Sequence, residues 1–343
     1  MMKSKYFTFV LVFVLVLATL VSVTGAGAAP KSDLSVSISA DKTSFSASDA
    51  VMVSVTISNN GKNSAKVLKW FTPVDEVEEP LFNVKRDGAA VDYVGAHYKR
   101  PAPTGSDYVT LKAGESLTRS VDLGLYYDLS GSGIYELEYN ADGTGLSSNK
   151  IQFAVAGRAG APIADAAAPL AVSGSSSFNK CTTAQQSAIV TARSNASTYA
   201  ASALSYLNSH NSGTTRYTTW FGIFDSGRYN TVTSHYSALS NAMNTASMTF
   251  DCGCKKKYYA YVYPNRPYTI YLCSVFWTAP ATGTDSKAGT LIHETSHFNV
   301  VASTDDWAYG QTNAKSLAIS DPVKAIDNAD SHEYFAENTP ALP

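Results

Sequence analysis

The sequence predicts an α+β chain in which an all-β, sandwich-like half precedes a mainly helical half. Residues 33 to 155 alternate apolar and polar side chains in short runs (LSVSISA, VMVSVTIS, SLTRSVDL, GIYELEYN) broken by NNGKN, KAGES and LSGSG. Period-two alternation with turn residues between the runs is the rhythm of a β-sandwich. From Cys181 onward, TAQQSAIVTARSNASTYAASALSYLNSH is Ala-rich, with apolar residues at helical spacing and no Gly or Pro. Between these textures, residues 154 to 177 are rich in Ala, Gly, Pro and Ser and lack an amphipathic period, which reads as a linker or processing region. The expected plan is a leader (1–28), a sandwich-like domain (29–157), a linker (158–177) and a helical domain (178–343).

The leader is read from Lys3 and Lys5, an apolar run from Phe7 to Val23, and small residues at Ala26 and Ala28. That is the pattern of a cleaved signal peptide; an uncleaved anchor is the competing reading, disfavoured by the A-x-A pattern and the lack of basic residues after it. A charged fraction of 16% and no other spanning-length apolar segment agree with a secreted, soluble product, expected to be a monomer.

In the second half a further helix is expected around 226 to 246, and YYAYVYPNRPYTIYLC, opened by Tyr258 and Tyr259, reads as a hairpin. Either AYVYPNR or TIYLC could offer an edge strand to an extended peptide. DSKAGTLIHETSHFNV returns to helical spacing, capped by Asp285 or Ser286. Near the end, Asp321 as N-cap with Pro322 at the first helical position starts a last helix through SDPVKAIDNADSHEYFAEN.

All four cysteines (Cys181, Cys252, Cys254, Cys273) lie in the second half, and export favours disulfides. Cys252 and Cys254 are too close to bridge easily, which leaves two sensible pairings, one of them Cys181–Cys252 with Cys254–Cys273. A cysteine-ligated zinc is the rival, but CGC lacks the gap of a zinc knuckle. A net charge of −2, with Lys255–Lys257 as the only basic run, gives no footprint for nucleic acid.

The chemistry concentrates in LIHETSHFNV, residues 291 to 300. Histidines four apart on a helix lie on one face, so His293 and His297 can aim at one zinc about 2.0–2.1 Å from each nitrogen. Glu294, next to the first histidine, would stand beside the open position as general base. A third ligand is needed, and no carboxylate lies at the thermolysin spacing before Asp321, while Val300 and Ser303 occupy the Gly and His places of the metzincin pattern.

Just downstream, residues 303 to 310 read STDDWAYG. H-E-x-x-H with G-T-x-D-x-x-Y-G shortly after it resembles the deuterolysin-like aspzincin metalloproteases, matched here at Thr304, Asp306, Tyr309 and Gly310. The resemblance implies a zincin-like domain with one zinc per chain, the ligands His293, His297 and Asp306, Glu294 as base and Tyr309 steadying the transition state. It leaves Asp305 variable and solvated. Ser303 departs from the family's Gly, which bears on the turn because Ser seldom adopts φ > 0.

The resemblance extends over residues 178 to 343 to the peptidyl-Lys metalloendopeptidases of that group, through RYTTWFG, AYVYPNR, FWTAPATGTDSKAGTLIHE, AYGQTNAKSLA, NADSHEYFAEN and the four cysteines. It implies protein or peptide substrates containing lysine, cut on the amino side of that residue. Asp330 and Glu333, three apart on one helical face, match the acidic residues of the lysine pocket. His332 is read as surface, and His210 and His235 as solvated or core-edge groups. The Asn195-Ala-Ser sequon lies within a helix.

Two alternatives are a broad-specificity neutral protease and a secreted binding or adhesion protein with an inactive zincin domain. Residues 29 to 176 fall outside the resemblance and read as a removable propeptide covering the cleft. Without a cysteine, it can block zinc only through other groups; His97, the acidic residues of DEVEEP and, for the pocket, Lys99 are candidates that the sequence does not rank.

Overall fold

Alternation of buried and exposed side chains builds the first half, as in Met52–Asn59, where every second residue is buried. The computed structural model describes residues 33–141, 144–156 and 174–343. The signal-peptide region and most of the linker lie outside them. Leu34–Ala40, Met52–Asn59 and Ser116–Asp122 form an antiparallel three-stranded sheet in that order. A five-stranded sheet runs Ser44–Phe45, Leu146–Val155, Gly133–Ala141, Phe82–Arg86 and Ala89–Ala90. Val53, Val55 and Ile57 from the first sheet meet Tyr135, Leu137 and Tyr139 from the second in one buried cluster. The opposite face of the first sheet carries paired hydroxyls, Thr56 with Thr118 at 2.9 Å and Ser58 with Ser116 at 2.8 Å.

The second half has its own core. Thr182 and Gln185 form a capping box that starts the helix Thr183–His210, which packs on the helix Ser226–Thr245. Ala192, Ala196, Ala200 and Ala203 let the first approach its neighbours closely. The disulfides are Cys181–Cys252 and Cys254–Cys273. Ala260–Val262 and Thr269–Leu272 form the expected hairpin. Among the described residues no helix is long and apolar enough to cross a membrane.

Two expectations need correction. The last helix is two, Pro322–Ala325 and Ala329–Glu337, because Asn328 leaves helical geometry and its side chain accepts from the Ala308 N–H at 2.9 Å. Asp321 does cap the first piece. His332 is not on the surface but fully buried, with its Nδ1 donating to Asn328 O at 3.0 Å and its Nε2 accepting from His235 Nδ1 at 3.0 Å. The second five-stranded sheet also contains a strand from the first half: its order is Ser176–Asn179, Met248–Asp251, Thr269–Leu272, Ala260–Val262, His97–Lys99.

Candidate active site

Ser286 caps the helix Lys287–Ser296 by accepting from the Gly289 N–H at 2.9 Å, and its hydroxyl donates to Glu337 at 2.7 Å. Every residue of this helix after Lys287 is buried. Gly289 permits the approach of Ala329–Glu337, since a Cβ there would lie 2.0 Å from a Glu337 oxygen and 2.8 Å from a Glu333 oxygen. The site thus lies between two helices with buried polar faces.

His293 and His297 present their Nε2 atoms to each other at 3.2 Å. The turn after the helix folds back: Ser303 adopts φ +53°, and Thr304 bonds Ser296 through its N–H (3.2 Å) and hydroxyl (2.6 Å). The serine therefore takes the left-handed conformation in which the family prefers glycine. His297 Nδ1 donates to Thr304 O at 2.6 Å, which leaves its Nε2 as a ligand atom. The same turn delivers Asp306, whose oxygens lie 3.3 Å from His293 Nε2 and 3.5 Å from His297 Nε2.

These separations of 3.2, 3.3 and 3.5 Å test the fit to zinc. Ligand atoms at about 2.0–2.1 Å from a tetrahedral centre stand about 3.3 Å apart. Both Asp306 oxygens are buried without a hydrogen-bond donor, an arrangement that a cation satisfies. The residues present fit the ion.

Glu294 is fully buried beside this triad, and burial pushes its carboxyl up to about 8 against the opposing charges of His293 and Lys99 and the Lys99 backbone N–H. Tyr309 precedes the helix Gly310–Ser320; its hydroxyl donates to Glu79 at 3.0 Å and accepts from Arg100 at 2.7 Å. Glu79 and Arg100 also pair directly. Glu79 belongs to the DEVEEP run whose acidic residues the sequence offers as candidates, whereas Arg100 carries no motif or spacing that marks it.

Asp330 and Glu333 are both buried and share one ammonium, that of Lys99: Nζ lies 2.6 Å from Glu333 Oε2, 3.4 Å from Asp330 Oδ1 and 3.5 Å from Asp285 Oδ1. The rings of Tyr259 and Tyr334 lie 5.0 and 5.7 Å from it. Asp285, which the sequence suggests only as a helix cap, is held by the Tyr334 hydroxyl at 2.7 Å and is a third carboxylate on the pocket. Asp330 reaches further: its oxygens stand 2.8 Å from His293 Nδ1 and accept from the Gly310 N–H at 2.6 Å.

Lys99 arrives on an added strand. His97–Lys99 pairs antiparallel with the edge Ala260–Val262, in the register Lys99 to Ala260, Tyr98 to Tyr261 and His97 to Val262. Period-two alternation turns Tyr98 toward Tyr258 and Tyr261 while His97 and Lys99 face the site. His97 packs its ring 4.7 Å from that of His297, and both line a cavity of 630 Å³ with Tyr127, Asn265 and Asp305. Asp305, expected to be solvated, is 42% exposed and lies 3.8 Å from His97 Nδ1.

Two imidazoles, a carboxylate and a second carboxyl at the open side are the apparatus of a zinc-dependent hydrolase. Residues 206–337 match the family model described as lysine-specific metallo-endopeptidase, the aspzincin family. The chain is 46% identical over 312 residues to an extracellular protease of Aeromonas hydrophila, spanning 86% of this chain and 90% of that protein. It is 38% identical to a peptidyl-Lys metalloendopeptidase of Armillaria mellea (87% and 92%) and 59% identical over 167 residues to one of Pleurotus ostreatus (48% and 98%). The chain belongs to the aspzincin family of zinc metallo-endopeptidases, as the motif resemblance implied.

Proposed function

We infer that this chain is the secreted precursor of a monomeric, zincin-like zinc endopeptidase that hydrolyses protein and peptide bonds on the amino side of lysine. The observation that carries the reading is Lys99. Its ammonium sits among three carboxylates while its backbone N–H, the leaving nitrogen of an amino-side cut, faces Glu294. A buried ammonium needs such partners, and arginine's wider planar fork fits a compact carboxylate set poorly.

His293, His297 and Asp306 would hold one zinc, which supplies a water of lowered pKa and polarises the scissile carbonyl. Glu294 takes the proton of the attacking water and passes it to the departing nitrogen. Tyr309 donates to the oxygen on which negative charge develops. Asp330, Glu333 and Asp285 bind the lysine side chain, and Ala260–Val262 aligns the substrate backbone by strand addition.

Residues 29–157 act as a removable propeptide, with 158–177 as the processing region. The strand His97–Lys99 holds the substrate cleft, and Arg100 and Glu79 engage the Tyr309 hydroxyl, so the intact chain cannot dock a second peptide there. The names and lengths of the relatives agree: one is an extracellular protease, and another is matched over 98% of its length by 48% of this chain. Intact-mass analysis of the secreted active protein tests this part; full activity in a species retaining residues 33–155 contradicts it. Residual caseinolysis after chelation, or none before it, contradicts the zinc-enzyme reading.

A further inference from the structure

We propose that His97 is a fourth protein ligand to the metal in the intact chain, converting an open catalytic site into a closed one until the first half is removed. This rests on the reading of His293, His297 and Asp306 as ligands and of residues 29–157 as a propeptide.

His97 is buried, and ligand atoms of His97, His297 and Asp306 all lie within 4.8 Å of one another. Its ring is fixed on two sides, 4.7 Å from the His297 ring and 5.6 Å edge-on to Tyr93. Its ring turns the same way as the other two histidines, although its Nδ1 stands farther from the nearest carboxylate than a hydrogen bond reaches. His293 turns Nδ1 to Asp330 at 2.8 Å, His297 turns Nδ1 to Thr304 O at 2.6 Å, and His97 turns Nδ1 to Asp305 at 3.8 Å. An oxygen facing Nδ1 is how proteins commit Nε2 to a metal. Structural zinc sites have four protein ligands, whereas catalytic sites keep one position for water. Strand pairing enforces the placement: with Lys99 in the acidic pocket and Tyr98 between, residue 97 is the next side chain on the site's face. Of the acidic residues of DEVEEP, Glu76 and Glu78 pair with Lys256 and Arg100, and Glu79 is taken up by Arg100 and the Tyr309 hydroxyl.

The test uses the full-length Glu294→Gln chain, which keeps the precursor uncut, loaded with zinc or Co2+. X-ray absorption of the zinc form is expected to count three imidazoles in the intact chain and two once the first half has been cut away with an unrelated protease. Two imidazoles in both forms overturn the proposal, and this readout needs no substitution at His97. In the Co2+ form, azide is expected to leave the visible spectrum unchanged for the intact chain but to shift it after His97→Ala. That substitution should also speed metal loss to a chelator by more than the ~10–100-fold that removal of an outer partner costs. Equal azide response and equal metal loss overturn the proposal. A metal that stays tightly bound after Asp306→Ala in the processed form, where His97 is gone, contradicts the underlying ligand assignment instead.

Discussion

Asp330 Oδ1 stands 2.8 Å from His293 Nδ1 and 3.4 Å from Lys99 Nζ, so one carboxylate joins the metal triad to the lysine pocket. Read from spacing alone, Asp330 and Glu333 look like an equivalent pocket pair. They are not. Glu333 lies at 3.6 Å from His293 Nδ1 and is the nearer partner of the ammonium.

Asp330→Asn is therefore expected to lower zinc affinity by about 10–100-fold, as loss of a histidine's outer partner does. Glu333→Gln should weaken lysine selection while leaving zinc affinity nearly unchanged. Chelator competition on the processed enzyme measures both; equal metal loss in the two variants removes the distinction.

Glu294→Gln should keep zinc bound and cost about 10²–10⁴-fold in turnover, the usual worth of a positioned general base. Metal content measured beside kcat decides this, because a parallel fall in both would make Glu294 a ligand rather than a base.

Asp306→Ala should abolish tight zinc binding in the processed enzyme, whereas Asp305→Ala should not. Asp306 alone of the pair reaches both His293 and His297, at 3.3 and 3.5 Å. Equal zinc content in the two variants contradicts the ligand register.

Lys99→Ala in the intact Glu294→Gln chain leaves Asp330 and Glu333 buried without their cation. Removing one partner of a buried pair costs about 3–5 kcal/mol, so the melting temperature of the intact chain should fall clearly. With the strand still in the cleft, the emptied pocket should also admit a small alkylammonium ion that the parent chain rejects. An unchanged melting temperature and no ammonium binding would mean that Lys99 does not fill the pocket.

His332 and His235 are neutral partners whose burial pulls their pKa values from 6.5 down to about 3 and about 4. Below pH 6.5 the unfolded chain takes up protons that the folded pair refuses, so this contribution to stability is complete above 6.5 and declines toward pH 4. His332→Gln should flatten that decline by at most about 1.4 kcal/mol per pH unit. Denaturant melts at pH 6.5 and 4.5 measure it; an unaltered slope means that His332 titrates normally.

The β-then-α order, the hairpin and the metal motif were legible because each is local: period two, turn residues, and ligand spacing on one helix. The expected hairpin strand Ala260–Val262 does receive an added strand, from this chain itself. What the sequence hid depends on distant approach. Asp285 reads as a helix cap until Tyr334 and Lys99 meet it. Glu79 and Arg100 lie 230 and 209 positions from Tyr309. His332 looks exposed between two acidic residues, yet Tyr236 stacks on it and Phe221 packs against it edge-on. Lys99 had no rank among the lysines because register, not composition, selects it.

The central claim is that the carboxylates around Lys99 select the residue after the cut bond. Digestion of one denatured protein with the processed enzyme, then mass spectrometry of every new N-terminus, tests it most directly. The new N-terminal residue is expected to be lysine and not arginine. New N-termini spread over other residues, or lysine found at the carboxyl ends instead, would contradict it.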